Sequence, residues 1–285
     1  METVRKIDMH AHSSVYGFIR GFPDERLASP EELIGIYDRI GVERGVLMPI
    51  MILEAHLGGS TNAEMKDVAD RMPDRFDWFC FLDPRMGNNS PDYDFGPFLE
   101  YCVRNGAKGV GEVSANMYFD DPMTLNMFSC IEKSGLAMTF HIGRKGGDYG
   151  LVDEPGLPRL EKVLNIFPKL MFIGHSQKFW AEISGDSDPE ERGGYPRGKV
   201  APGGRAVELL EKYPNMFADL SATSGYNAVS RDPDFGYSFL ERFSEKLYYG
   251  TDICDPRDEK RPMMKLAGFL DDGMLSGKLS YEAYY

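Results

Sequence analysis

Apolar runs of strand length alternate with longer stretches of helical period along the chain. Val4 to His10 reads as strand 1. Glu31 to Ile40 follows as a helix with apolar Leu33, Ile34, Ile36 and Tyr37, opened by Ser29-Pro30. Arg44 to Pro49 is strand 2, Asn62 to Met72 a helix, and Phe76 to Leu82 strand 3. A helix from Phe95 to Arg104 stops at Asn105-Gly106, before strand 4 at Ala107 to Val113. Asp121-Pro122 opens a helix to Lys133, and Leu136 to His141 is strand 5. Leu157 to Phe167 (helix), Leu170 to Gly174 (strand 6), Arg205 to Lys212 (helix), Met216 to Leu220 (strand 7), Pro233 to Phe243 (helix) and Lys246 to Gly250 (strand 8) complete the order.

Eight alternations of buried-type strands with helices predict an α/β fold, a (β/α)8 TIM barrel with a parallel sheet closed on itself. A chain of 285 residues suits one such barrel, with no linker or composition shift to divide it, so one catalytic domain over 1–285 is expected. Two connections on the strand C-terminal side are long: 50–61, and the Gly- and Pro-containing stretch 176–204. Connections of that length on that side of a barrel usually carry function. At the end, Ser280-Tyr-Glu-Ala-Tyr-Tyr285 reads as a capped helix start that is cut short.

Charge and composition narrow the classes. The balance of 32 basic and 45 acidic residues gives a net −13, which argues against nucleic acid as a partner but not against a small anionic substrate. No apolar run approaches the roughly 20 residues of a membrane span. Without a secretory signal, a cytoplasmic protein is the expectation. The four cysteines, Cys80, Cys102, Cys130 and Cys254, lack paired or metal-ligand spacing and read as reduced thiols, with Cys254 two residues past Asp252.

The histidines carry the chemistry. His10 and His12 sit at the end of strand 1, His141 at the end of strand 5 and His175 after strand 6, with Asp252 after strand 8. Residues two apart on a strand share a face, so His10 and His12 should point together into the barrel mouth. Asp8 should join them and orient an imidazole. Glu112 ends strand 4 and can reach the same mouth. Imidazoles and carboxylates gathered from one end of parallel strands, with an open position, describe a catalytic zinc-type site. A lone histidine after a strand is an ordinary core or surface residue; the set is far harder to obtain by chance. His56 has no such placement and reads as a loop residue, and Lys108 as an inner-layer or bottom-face residue of the barrel.

At these positions the chain resembles the amidohydrolase superfamily. More narrowly, it resembles the amidohydrolase-related branch that includes aminocarboxymuconate-semialdehyde decarboxylase and its relatives. The likeness lies in Asp8-Met-His10-Ala-His12, Phe81-Leu-Asp83-Pro84-Arg85, Gly106-Ala-Lys-Gly109-Val, His141, Ile173-Gly174-His175 and Gly250-Thr-Asp252. It implies a distorted (β/α)8 barrel with one or two divalent ions, zinc foremost, held by His10, His12, His141 and Asp252. It implies His175 as an acid/base or polarising residue or a ligand to a second ion. Glu112 departs from the decarboxylase pattern and is similar to the strand 4 glutamates of two-metal hydrolases. Relatives commonly pair, so a homo-oligomer is a further expectation.

The preferred reading is hydrolysis of a C–N or C–O bond in a small amide, ester or lactone, with or without a carboxylate. Asp252 would shuttle the proton and His175 stabilise the oxyanion. The runner-up is non-oxidative decarboxylation of a small unsaturated or aromatic acid at the same site. A third reading is a metal-stabilised binding protein without turnover. Arg144 and Lys145 after His141, and Lys178 after His175, are candidates to meet a substrate carboxylate, with ordinary loop charge as the alternative. Phe179 and Trp180 are candidates to wall a flat substrate or to pack the loop down. Ser221, Ser224, Tyr226, Asn227 and Arg231 are expected along the rim, and Arg85 reads as structural.

Overall fold

In the computed structural model, which describes residues 3–17, 26–54 and 58–285, strands and helices alternate as the apolar pattern requires. The barrel strands are β1 (Lys6–Ala11), β2 (Val42–Leu47), β3 (Phe76–Trp78), β4 (Gly109–Val113), β5 (Ala137–Gly143), β6 (Phe172–His175), β7 (Met216–Asp219) and β8 (Leu247–Tyr248). Between and after them run α1 (Pro30–Ile40), α2 (Asn62–Arg71), α3 (Gly96–Arg104), α4 (Pro122–Ser134), α5 (Pro158–Ile166), α6 (Arg205–Lys212), α7 (Pro233–Phe243) and α8 (Leu266–Leu275). Capping chemistry sets several starts. Ser29 with Glu32, and Thr61 with Glu64, form reciprocal boxes at α1 and α2, and Asp121 accepts from the Met123 N–H at α4.

All ladders are parallel, in the order β1-β2-β3 and β4-β5-β6-β7-β8. Backbone hydrogen bonds close the two seams. Cys80 N–H donates to Gly109 O and Gly111 N–H to Cys80 O, each at 2.9 Å. Met9 N–H donates to Tyr249 O (2.9 Å), Asp252 N–H to His10 O (2.7 Å) and His12 N–H to Ile253 O (2.8 Å). The expected distorted (β/α)8 barrel is thus the observed fold. Regular pairing is shorter than expected in β3 and β8, where isolated bridges replace the ladder. Several pieces went unforeseen: strand Leu151–Val152, paired with β5, helices Gln177–Ala181 and Ala222–Ser230, and, beyond β8, the 3-10 turns Pro256–Lys260 and Pro262–Lys265 and helix α8. Ser280 does cap a final helical turn, Tyr281–Tyr284. No helix among the described residues is long and apolar enough to cross a membrane.

The main core lies between the strands' outer faces and the helices. It includes Leu33, Tyr37, Leu47, Val110, Phe140, Phe172 and Leu209. A smaller cluster of Met9, Val46, Met48 and Phe79 fills the barrel axis. Lys108 is exposed and lines a cavity of about 400 Å³ with Ile7, Arg44 and Val46, in keeping with a lower-face lysine.

Two register shifts decide which side chains reach the mouth. On β1, Asp8 pairs with Gly45 and Ala11 with Leu47, so three steps on β1 oppose two on β2. On β4, Val110 pairs with Met138 and Val113 with Phe140, again three against two. Such a bulge places two successive side chains on one face. Without the first, His10 would share the face of Asp8; without the second, Glu112 would share that of Val110. The expectation that Asp8 orients an imidazole therefore fails. Asp8 faces α1, where its carboxylate accepts from Tyr37 Oη (2.7 Å), Thr251 Oγ1 (2.5 Å), Thr251 N–H (2.9 Å) and His10 N–H (3.0 Å). Tyr37 gets there because residue 45 is glycine: a Cβ at Gly45 would stand 2.2 Å from the tyrosine oxygen.

This clamp should be measurable. Tyr37→Phe removes one donor to a buried carboxylate and should cost about 1–2 kcal/mol. Gly45→Ala should cost about 1–3 kcal/mol by overlap. Because the overlap is largely with the tyrosine oxygen, the double variant should cost clearly less than the sum in urea unfolding. Strict additivity would show that the two residues do not share this contact.

Candidate metal centre

Four strand ends and two following loops bring the site together. His10 is the last residue but one of β1 and His12 follows the strand; Glu112 comes from β4, His141 from β5, His175 from β6, and Asp252 lies beyond β8. His141 and His175 are direct register partners on adjacent strands. All six groups expected from the sequence converge. The ligand atoms of His10, His12 and Glu112 lie within 4.8 Å of one another, as do those of Glu112, His141 and His175, and those of His10, His175 and Asp252. His56 lies outside the described residues.

Hydrogen bonding behind the rings fixes how they face. His12 Nδ1 is 2.9 Å from Met48 O, and His10 Nδ1 is 3.0 Å from Asp219 Oδ2. A carbonyl and a carboxylate only accept, so both Nδ1 atoms carry a proton and both Nε2 atoms are turned to the centre, where they offer lone pairs to a metal once any second proton has left. Those two Nε2 atoms are 3.1 Å apart, with Asp252 Oδ1 3.3 Å from His12 Nε2 and 3.7 Å from His10 Nε2. Glu112 stands between the groups. Its Oε1 is 2.7 Å from His141 Nδ1 and 3.7 Å from His175 Nε2, and its Oε2 is 3.9 Å from His10 Nε2 and 4.0 Å from His12 Nε2. Lone pairs and carboxylates converging in a buried space require positive charge, and imidazole nitrogen with carboxylate oxygen is the donor set that divalent ions such as Zn²⁺ and Mn²⁺ take. The residues fit a metal.

Protons take the cation's place in the metal-free protein. Burial opposes charge on His10, yet the Asp219, Asp252 and Glu112 carboxylates prevail and raise it to about 10. His175 is raised in the same way, burial again opposing and Asp219 foremost among the groups that raise it. Burial alone would lift the acids, but the facing imidazoles hold Asp219, Glu112 and Asp252 below the ordinary carboxylate range.

Sequence reasoning missed Asp219, the last residue of β7. It is almost wholly buried, and its two oxygens serve two rings: Oδ2 faces His10 and Oδ1 faces His175 Nδ1 at 3.0 Å. Ser221 adds its N–H to Oδ1 (3.0 Å) and its hydroxyl to the same oxygen, and that hydroxyl also lies 2.9 Å from His175 Nδ1. The available signal was a carboxylate closing strand 7, in Met216-Phe-Ala-Asp219, as Asp252 follows strand 8. Extending that strand to Leu220 hid it. Asp252 itself has φ +58, a left-handed conformation costing an L-residue about 1–2 kcal/mol. The bond from its N–H to His10 O fixes it there.

The residues expected to meet substrate are spread more widely. Arg144 is exposed beside the mouth. Lys145 Nζ donates to Asn116 O (3.0 Å) and Lys178 Nζ to Asp148 Oδ2 (2.6 Å). Trp180 is buried, its indole N–H donating to Asp219 O (3.0 Å), so it braces the site from behind rather than walling an open cleft. Tyr226 is half-buried against Phe269. Arg85 is held by Asp83 and Glu54. Tyr149 lies with its ring 4.5 Å from that of His141.

No protein-family model matches the chain, and no curated protein matches it in sequence. Solved structures match in shape. An uncharacterised TIM-barrel protein of Bordetella bronchiseptica superposes with a TM-score of 0.65 at 15% identity, covering 98% of this chain and 94% of that one. The 2,6-dihydroxybenzoate decarboxylase of Rhizobium gives 0.58 at 14% identity, covering 99% and 95%. A probable 2-pyrone-4,6-dicarboxylic acid hydrolase of Acinetobacter baumannii, with citric acid bound, gives 0.57 at 15% identity, covering 97% and 96%. At these identities the likeness is one of fold. Neighbours of this kind are what the motif resemblance to the amidohydrolase-related branch leads one to expect.

Two outcomes test the geometry. Because His10 holds a proton up to about 10 in the metal-free protein, an ion must displace it. Metal affinity should therefore rise with pH towards that value, with proton release visible by calorimetry in buffers of different ionisation enthalpy. Asp219→Asn turns an amide N–H toward one imidazole Nδ1 and forces that ring into the wrong tautomer. Metal affinity should fall about 10–100-fold. Unchanged affinity, with unchanged imidazole nitrogen shifts in NMR, would remove Asp219 from this role.

Proposed function

We propose that the protein is a metal-dependent hydrolase of the amidohydrolase type, cleaving a C–N or C–O bond of a small, carboxylated amide, ester or lactone. The observation that carries this reading is Glu112. It stands 2.7 Å from His141 on one side and within 4.0 Å of His10 and His12 on the other, so two ligand groups share one carboxylate. His10, His12 and Asp252 with Glu112 would hold one ion, and His141 and His175 with Glu112 a second. When bound, such ions acidify a water molecule and stabilise developing negative charge on oxygen.

The chain's own residues supply the remainder. Asp252 has the most exposed side chain of the six, at 24%, and is held ionised by the imidazoles around it. It is placed to accept a proton from an attacking water and return it to the leaving group. His175, anchored at Nδ1 by Asp219 and Ser221, has Nε2 turned to the second ion's place; were only one ion held, that nitrogen would instead be the group to polarise the reacting oxygen. Arg144 on the adjacent loop is the cation of choice for a substrate carboxylate, since Lys145 and Lys178 are already engaged.

A second reading, non-oxidative decarboxylation of an aromatic acid, draws on the Rhizobium neighbour, whose name gives that chemistry. It needs only one ion and leaves Glu112 as partner to His141.

His10→Ala should lose metal and turnover together. Asp252→Asn should lower kcat by about 10²–10⁴-fold while much of the bound metal remains; near-intact turnover would exclude the proton-transfer role. With a panel of carboxylated lactones, esters and aromatic acids, hydrolysis places labelled solvent oxygen in the product. Release of carbon dioxide without that label would select decarboxylation.

A further inference from the structure

We propose that Cys254 is a third kind of donor at the mouth, so that its edge of the centre takes thiophilic divalent ions in an imidazole–carboxylate–thiolate set with His12 and Asp252. This rests on the metal reading above and extends it to the choice of ion. One ligand atom from each of the three residues lies within 4.8 Å of the other two. Cys254 Sγ is 3.8 Å from Asp252 Oδ1, and that same oxygen is 3.3 Å from His12 Nε2. An ion at this edge would share His12 and Asp252 with the His10–Glu112 side, so the two arrangements are alternatives chosen by the ion, and three protein donors with one open position are what a catalytic zinc-type ion needs.

The sulfur is held in place. Cys254 is 7% exposed and packs with Leu27, Ile50 and Ile52. Its N–H donates to Asp258 Oδ2 (2.9 Å), and its carbonyl accepts from Ala28 N–H (2.7 Å). One residue earlier, Ile253 bridges Ala11, between His10 and His12. Cys254, Asp252, His10 and His12 therefore ride on one stretch of paired backbone. Thiolate ligands favour Zn²⁺ and Cd²⁺, whereas Mn²⁺ and Mg²⁺ prefer oxygen. On binding, a sulfur–metal bond forms, the S–H bond breaks, and the proton leaves to the buffer without redox change. With an oxygen-preferring ion, the thiol keeps its proton and its contact with Asp252.

The test titrates Cd²⁺ into the full metal-free chain, wild type and Cys254→Ser, reading the ultraviolet sulfur-to-cadmium charge-transfer absorption, with Mn²⁺ as control. In the wild type the band should grow with Cd²⁺ occupancy, and in Cys254→Ser it should be lost. The Cd²⁺ Kd should weaken about 10-fold or more, while that of Mn²⁺ changes by less than about threefold. Retained Mn²⁺ binding shows that the variant is folded. Cd²⁺ binding without the band in wild type, or a band that survives in Cys254→Ser, overturns the role of Cys254 and leaves the metal centre standing. Failure of wild type to bind either ion removes the metal reading, and this proposal with it.

Discussion

Two imidazole nitrogens facing each other at 3.1 Å, each ring's proton committed on its far side, need a positive charge close by. Asp219, Glu112 and Asp252 sharpen the need, because buried carboxylates without a counter-charge cost several kcal/mol each. Protons on His10 and His175 meet it in part. A divalent ion meets it with one centre, and without asking the rings to give up the tautomers that Met48 O and Asp219 impose. The acceptors behind the rings therefore do as much to make a cation site as the rings themselves.

Much of this was legible in the chain. Strand-length apolar runs gave the eight barrel strands, and the parallel fold puts every strand's C-terminal end on one face, so His10, His12, Glu112, His141, His175 and Asp252 could be gathered without coordinates. What sequence could not show was register. Strict alternation places Asp8 beside His10, yet the extra residue on β1 sends Asp8 out to Tyr37 and His10 inward. The same device on β4 turns Glu112 in. A bulge is set by pairing with the neighbouring strand, and one strand's residues do not report it. Asp219 escaped for a related reason: at a strand end, one residue of boundary error exchanges a buried ligand-orienting position for a core one. For Lys145 and Lys178 the sequence left substrate contact and ordinary loop charge both open, because a long side chain's partner, here Asn116 O or Asp148, lies on a loop whose path the sequence does not fix.

The outward-facing Asp8 remains tied to the site by another route. Its carboxylate holds both the N–H and the hydroxyl of Thr251, the residue before Asp252, along with the N–H of His10. Tyr37 on α1 and the space at Gly45 complete the contact. The seam where β8 meets β1 is thus pinned from the helical layer, and the same pin sets two groups of the proposed centre. Fold stability and site geometry share these atoms, so a loss at one should be felt at the other.

Glu112 also bears on the choice between the two chemistries. Decarboxylation asks for one electrophilic centre near a carboxylate that leaves, and gives a carboxylate on the axis of the site no part beyond its contact with His141. Hydrolysis by an activated water would gain from it, because Glu112 could serve the His10–His12 group and the His141–His175 group together, and ions held there would supply an acidified water and charge for the developing oxyanion. The bulge that turns Glu112 inward gives up ladder pairing between Val110 and Val113, a cost without return if the carboxylate only accepted from His141. Its position facing His10 and His12 as well favours a bridging role and, through it, hydrolysis.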